Sequence, residues 1–256
     1  MMPSGLSILA AVRGALRDVE ALLLPATCLG CDRPLAPAED DRVCCALCRS
    51  RLRAIPPPVC GRCGQPLDAW STHADDPGRC GFCRDWPEEL AFATSAVWLE
   101  PGPARNLVHA LKYGGWRFAA QPMAEILARQ CARTWRDVDV LVSVPLGRTR
   151  ERERGHNQAA ELAVALARIV QLPLAADALA RRRDTRTQTA LAPAERRRNV
   201  AGAFAPGPRV VGGRRVVLVD DVLTTGATLG AAAQVLAAAG ARSVGAVTFA
   251  RALVPS

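Results

Sequence analysis

Aromatic residues make up only 4% of the 256 positions, and lysine occurs once, as Lys112. Half of the residues are hydrophobic, so a sizeable core is possible, but aliphatic and alanine side chains must build it. Arginine supplies 32 of the 33 basic residues, a compositional bias that carries no mechanism by itself. No segment reaches the ~18 uninterrupted apolar residues of a membrane span. The stretch Leu6–Leu24 carries Arg13, Arg17, Asp18 and Glu20, which breaks any signal-peptide core. Its apolar residues recur at helical spacing up to Pro25, so residues 1–27 read as an amphipathic helix packed on the body of the protein. A cytoplasmic location is therefore expected, where cysteine pairs bind metal more often than they form disulfides.

Cysteine is what the chain does have, in ten copies. Cys28-Leu-Gly-Cys31 precedes Cys44-Cys45-Ala-Leu-Cys48, and Cys60-Gly-Arg-Cys63 precedes Cys80-Gly-Phe-Cys83. Each C-x-x-C turn can offer two thiolates to one ion, and two such turns complete a tetrahedral four-cysteine site. The spacing predicts two sequential zinc sites, Cys28, Cys31, Cys45 and Cys48 for one and Cys60, Cys63, Cys80 and Cys83 for the other. A cross-braced pairing and Cys44 in place of Cys45 remain open at this point. Four C-x-x-C turns so close together favour closed, structural metal sites over redox chemistry. His73 reads as solvated, and the isolated Cys131 as a small buried hydrophobe.

Pro56-Pro57-Pro58 separates the cysteine sets as a stiff spacer. A small double zinc module over 28–90, linked through Trp86–Leu90, would thus precede a larger domain over 91–256. Charge divides along the same line. Residues 1–98 hold 10 arginines against 12 acids, a net −2, whereas 99–256 hold 23 basic against 12 acidic residues, a net +11. The second part could therefore attract anionic substrates or nucleic acid. Its pattern alternates: strands at Ala93–Leu99 and Val138–Val144, helices at Ala104–Lys112, Pro122–Trp135 and Asn157–Val170. Such alternation predicts an α/β fold with a parallel sheet and flanking helices.

Val216-Val217-Leu218-Val219 reads as a buried strand, with Asp220 and Asp221 at its carboxyl end and Thr224-Thr225-Gly226-Ala227-Thr228 opening a helix near Thr228. Ligands of open α/β sheets bind at such strand-to-helix turns. Helix-start amides with the Thr224, Thr225 and Thr228 hydroxyls suit a phosphate, and Gly226 allows close approach. Two carboxylates beside a phosphate cradle suit a sugar diol, which together describe a ribose-5-phosphate site.

This stretch resembles the PRPP-binding motif of the type I phosphoribosyltransferases. Pro145-Leu146-Gly147-Arg148 followed by Arg154-Gly155-His156-Asn157-Gln158, the run Arg181 to Asn199, and Leu111-Lys112-Tyr113 after cysteine pairs resemble the ComF family, a competence-associated branch of that fold. His156 stands where the family usually has an aromatic residue. His109 reads as a packed or capping residue.

The resemblance implies a type I phosphoribosyltransferase fold with a flexible hood. Asp220 and Asp221 would hold the ribose hydroxyls as catalytic residues, and Thr224, Thr225, Gly226 and Thr228 the 5-phosphate. Val144, Pro145, Leu146 and Arg148 would hold diphosphate with Mg2+, Lys112 would serve as a point charge for phosphate, Arg154 would bind substrate from the 154–158 segment, and Arg183 would belong to the arginine-rich lid over 181–198. It implies PRPP or another phosphoribosyl compound as partner, with DNA uptake, single-stranded DNA and other DNA-uptake proteins beyond it. A non-catalytic single-strand handling protein and a PRPP-sensing regulator are the alternatives. Exchanging both acids for asparagine should abolish PRPP binding and leave unfolding nearly unchanged.

Overall fold

The computed structural model describes residues 26–35, 43–67, 80–184 and 199–252. The expected helix over 1–27 (apart from its last two residues), His73, and hood residues 185–198 lie outside the described residues.

Helix α1 (Ala46–Ser50) lies among the cysteines. Strand β1 (Leu90–Trp98), α2 (Pro103–Tyr113), α3 (Ala120–Gln130), β2 (Val140–Ser143), α4 (Arg148–Arg154) and α5 (Gln158–Val170) follow. A short antiparallel pair, β3 (Leu179–Arg181) and β4 (Phe204–Pro206), then leads to β5 (Arg215–Leu223), α6 (Ala227–Ala238) and β6 (Ser243–Arg251). The main sheet has the order β1-β6-β5-β2, and each of its pairings is parallel. Helices cover both faces, as a parallel sheet requires. Leu107 and Leu111 of α2, Met123 and Leu127 of α3, and Leu162 and Leu166 of α5 share one core with Val217 and Val219. Leu229, Ala232, Ala233 and Leu236 of α6 share the other with Val216 and Leu218. The Val216–Val219 run alternates between the cores because successive strand residues point to opposite faces.

Some boundaries move. The expected helix over Pro122–Trp135 ends at Gln130. After a turn at Cys131, a 3-10 turn spans Thr134–Asp137, and Trp135 Nε1 donates back to the Ala128 carbonyl over 2.9 Å. Asn157 is a cap, not part of a helix: its side chain accepts from the Ala159 amide. Helix α4 has no buried residue, so no apolar stripe marks it in the sequence. Strand β5 runs through the acids to Leu223 because β6 keeps pairing, Asp220 with Thr248 and Leu223 with Arg251.

The stretch expected as a link between the cysteine region and the rest is a buried joint, with Trp86 6% and Leu90 0% exposed. Cysteine segments wrap the β1 edge, where the amides of Ala93 and Trp98 donate to the carbonyls of Arg62 and Arg53. The buried Arg62 guanidinium donates to the carbonyls of Cys83, Trp86, Pro87 and Leu90. Each cysteine set joins a different core, the first beside α2 and α3 and the second beside α6. Cys131 is buried, as expected, and burial pushes its thiol up to about 12.

Candidate functional site

At the carboxyl end of β5 and β2 lies a cavity of about 720 Å³, well within the size range of small-ligand pockets. Segments that are distant in sequence meet there. Asp220, Asp221 and Thr224 come from the end of β5, and Gly226, Thr228 and Leu229 from the turn into α6. Val144, Pro145 and Leu146 follow β2. Lys112 and Tyr113 from the end of α2, Arg150 and Arg154 from α4, and Arg181 from β3 supply the rim.

The start of α6 has amides outside the intrahelical bonding that could receive an anion. Gly226 is the cap of α6, with φ 79°, and no side chain bonds the first turn from that position. The helix dipole then presents its positive end to the cavity. Opposite, the turn after β2 is held by the Asn157 side chain, whose Nδ2 donates to the Val144 carbonyl over 3.1 Å. Asp184 caps the start of α4, accepting from the Thr149 amide over 3.2 Å. A Cβ on Gly147 would lie 2.2 Å from the Asp184 carboxylate, so only glycine leaves that cap in place.

The two acids are unlike. The Asp221 carboxylate is 5% exposed and its Oδ2 sits 2.6 Å from Lys112 Nζ. Burial works against its charge, but the lysine ammonium outweighs it and holds Asp221 below the usual carboxylate range. The same pair raises Lys112 despite its own burial. Asp220 is raised well above the ordinary value, first by burial and then by the Asp221 charge. Asp220 therefore borders the cavity as the acid that more readily carries a proton, and Asp221 as the fixed anion.

Eight sequence candidates line the cavity directly: Asp220, Asp221, Thr224, Gly226, Thr228, Val144, Pro145 and Leu146. Lys112 lines it too, but its ammonium is engaged by Asp221 and is not left to a phosphate. Arg154 lines it, donates to Gln158 Oε1 over 2.8 Å and lies 4.8 Å from the Tyr113 ring centroid. Arg148, Thr225 and Arg183 are not among the lining residues. Arg148 is exposed on the first turn of α4, and Arg150 takes the cavity position. Thr225 turns its hydroxyl to the Ala227 amide and its carbonyl to Trp86 Nε1. Arg183 donates to the carbonyls of Asn199 and Ala201, while Arg181 reaches the cavity.

Sequence reasoning missed Tyr113, Gln158 and Trp86 as parts of this region. His156 bonds the carbonyls of Arg154 and Leu111 through its two ring nitrogens, so it joins the α4–α5 turn to the end of α2 and does not line the cavity. His109 is exposed, with its ring 4.9 Å from that of Tyr113.

The cysteines form two sequential groups, Cys28, Cys31, Cys45 and Cys48, and Cys60, Cys63, Cys80 and Cys83. Four sulfurs about 2.3 Å from a zinc ion lie roughly 3.8 Å apart. The Cys31–Cys45, Cys60–Cys83 and Cys80–Cys83 pairs are each 3.9 Å apart, and Cys63–Cys80 3.4 Å. Amides of Gly30 and Cys45 donate to Cys28 Sγ, and that of Cys48 to Cys45 Sγ, as thiolates require. Burial raises these thiols in principle, yet amide donors bring Cys45 down to about 6 and Cys60 to about 7. Burial and neighbouring sulfurs then push Cys83 up to about 11. Each cage thus takes its first negative charge readily and resists the rest, so its donor set fits a divalent cation. Cys44 is left outside the first group, its thiol directed at the Cys45 carbonyl.

The Phosphoribosyl transferase domain family matches residues 125–254, and the Double zinc ribbon domain family matches residues 19–84. The DNA utilization protein YhgH of Escherichia coli (strain K12) is 33% identical over 228 residues, covering 87% of this chain and 96% of that protein. Competence protein F of Haemophilus influenzae is 29% identical over 78% of this chain and 86% of its own length. Competence protein ComFC of Bacillus subtilis is 29% identical over 88% and 94%. Among the described residues no helix is long and apolar enough to cross a membrane. With a phosphoribosyltransferase-type parallel sheet behind a double zinc ribbon, the chain belongs to the ComF family of competence-associated proteins.

Proposed function

We propose that the protein binds Mg2+-PRPP in the β5–α6 cavity and transfers its phosphoribosyl group to an acceptor, in a cell that handles incoming DNA. The observation that carries this reading is convergence. One cavity holds an acid pair, a Thr/Gly helix start and the turn after β2, groups that answer a sugar diol, a 5-phosphate and a diphosphate. In this reading Thr224, Thr228 and the α6 amides take the 5-phosphate. Asp220 accepts hydrogen bonds from the ribose hydroxyls once it is ionised, and Asp221, fixed by Lys112, faces the positive charge that grows on the sugar ring. The backbone of 144–147 and the guanidinium groups of Arg150 and Arg181 face the departing diphosphate, where prearranged cations lower the barrier most. Mg2+ would arrive on the diphosphate, because it keeps several waters and is held through substrate phosphates with few protein ligands. The two cysteine cages would each hold a structural zinc ion, brace the active domain and perform no chemistry.

Calorimetric titration of Mg2+-PRPP into wild type and Asp220→Asn tests the reading. Binding by wild type and at least tenfold weaker binding by the variant are expected, and equal affinity would overturn it.

A second reading rests on charge and on the relatives' names. Helix α4 carries Arg148, Arg150, Arg152 and Arg154 within seven residues, Arg150 and Arg154 on the cavity side and Arg148 and Arg152 on another face, a concentration of positive charge suited to single-stranded DNA. If it serves that purpose, PRPP and DNA compete, because Arg150 and Arg154 also line the cavity.

A further inference from the structure

The second cysteine group sits directly behind the phosphate turn. Trp86 follows Cys83 by three residues, and its amide donates to the Cys83 carbonyl over 3.1 Å. From there the indole Nε1 donates to the Thr225 carbonyl over 2.9 Å. Its ring fills the space over Gly226, where an added Cβ would lie 2.5 Å from the indole. Pro87 packs likewise over Gly230 in the first turns of α6, 2.9 Å from an added Cβ. The cysteine side is equally fixed. Arg62 clamps the carbonyls of Cys83, Trp86, Pro87 and Leu90 from inside. Arg251 donates to the Cys63 carbonyl over 2.6 Å and lies 4.3 Å from the Phe82 ring centroid. Phe82 in turn meets Trp86 edge-on at 5.7 Å.

We propose that Trp86 is a positioning residue for the phosphate turn: the Cys60/Cys63/Cys80/Cys83 metal cage holds the indole as a strut against Thr225 and Gly226. Ribose-phosphate affinity is then coupled to metal in the second cage, and not to metal in the first. The physical reason is rigidity. A turn made of threonine and glycine has little side-chain packing of its own, so the backbone amides that meet a phosphate keep their aim only if something outside the turn fixes it. The inference rests on the ribose-phosphate reading of the cavity.

Coupling is reciprocal: whatever factor metal adds to ligand affinity, ligand adds to metal affinity. The test uses full-length protein carrying two zinc ions, ribose 5-phosphate as ligand and a chromophoric chelator as zinc competitor. In wild type, saturating ribose 5-phosphate should tighten one of the two zinc ions several-fold and leave the other alone. Trp86→Phe keeps a ring over Gly226 and removes the donor to Thr225, a loss that weakens ribose 5-phosphate roughly two- to tenfold. In that variant the ligand-dependent tightening of zinc should shrink or vanish, while zinc content stays at two and thermal unfolding stays close to wild type. Equal protection of both zinc ions, protection of neither, or undiminished protection in Trp86→Phe would overturn the proposal. Wild-type protein that binds no ribose 5-phosphate at all would overturn the reading beneath it instead, so the two failures are distinguishable.

Discussion

Replacing Lys112 by methionine removes the cation paired with Asp221. The Asp221 side chain is 5% exposed and that of Lys112 21%, so solvent can do little to replace the pair. Breaking a buried ion pair on one side costs about 3–5 kcal/mol. Asp221 also lines the cavity, where water can relieve part of the penalty, which favours the lower end, about 3 kcal/mol. At roughly 2–4 °C per kcal/mol for a chain of this size, the melting temperature should fall by about 10 °C at neutral pH. The pH dependence should also reverse. In wild type Asp221 is depressed, so its contribution is present above the ordinary carboxylate pKa and is lost as pH falls through the native value. Without Lys112, burial is the dominant influence and the pKa rises, so the variant gains stability as pH falls into the acid range. Asp221→Asn in the Lys112→Met background should restore most of the loss, because a neutral amide carries no buried charge. Urea unfolding of wild type, the Lys112→Met and Asp221→Asn single variants and the double variant at neutral and mildly acidic pH measures this. A Lys112→Met cost below about 1 kcal/mol, or no recovery in the double variant, would refute the reasoning.

Asp221→Asn alone should also destabilise the protein, contrary to the sequence-based expectation that both acids could be neutralised without consequence for folding; Asp220→Asn, at the cavity surface, should not, and comparison of their melting curves decides it. Because Asp220 is held above the usual carboxylate range and must be ionised to accept from ribose hydroxyls, ribose 5-phosphate affinity in calorimetry should rise with pH by more than the second ionisation of the ligand's own phosphate accounts for, and that excess should disappear in Asp220→Asn. Gly226→Ala places a Cβ 2.5 Å from the Trp86 ring at φ 79°; the left-handed backbone alone costs roughly 1–2 kcal/mol, and the same substitution in a Trp86→Ala background should cost less, with strict additivity counting against the packing of the two. Metal analysis should find about two zinc ions per chain, and Cys60→Ser or Cys80→Ser should unfold more than the cysteine region, because that group lies in the core beside α6. If single-stranded DNA binds along α4, every arginine-to-alanine change that takes a cation away from a DNA phosphate should lower the log–log salt slope by about 0.7, and a slope unchanged when Arg150, Arg152 and Arg154 are all replaced would place DNA elsewhere.

Much was legible in the sequence because it is written locally. A C-x-x-C turn brings two sulfurs together whatever surrounds it, so the two metal-ligating sets could be read from spacing, although only the folded chain chose Cys45 over Cys44 and sequential over cross-braced pairing. The Val216–Val219 run, the acids and the Thr/Gly turn announce a strand, a polar end and a helix start through neighbours in the chain. What the sequence could not show depends on distances across the fold. Lys112 and Asp221 are 109 positions apart, and their ion pair exists because α2 packs on the face of β5 to which Asp221 points. It turns an expected phosphate ligand into the counterion of an acid, and makes two adjacent aspartates chemically different. Helix α4 has no apolar stripe to betray it, so which of its arginines reach the cavity is set by where the turn after β2 aims it. The bond from Trp86 to Thr225 spans 139 positions. No local pattern relates a residue three positions after a C-x-x-C turn to a glycine at the start of α6; only the packing of the cysteine group onto the start of α6 does.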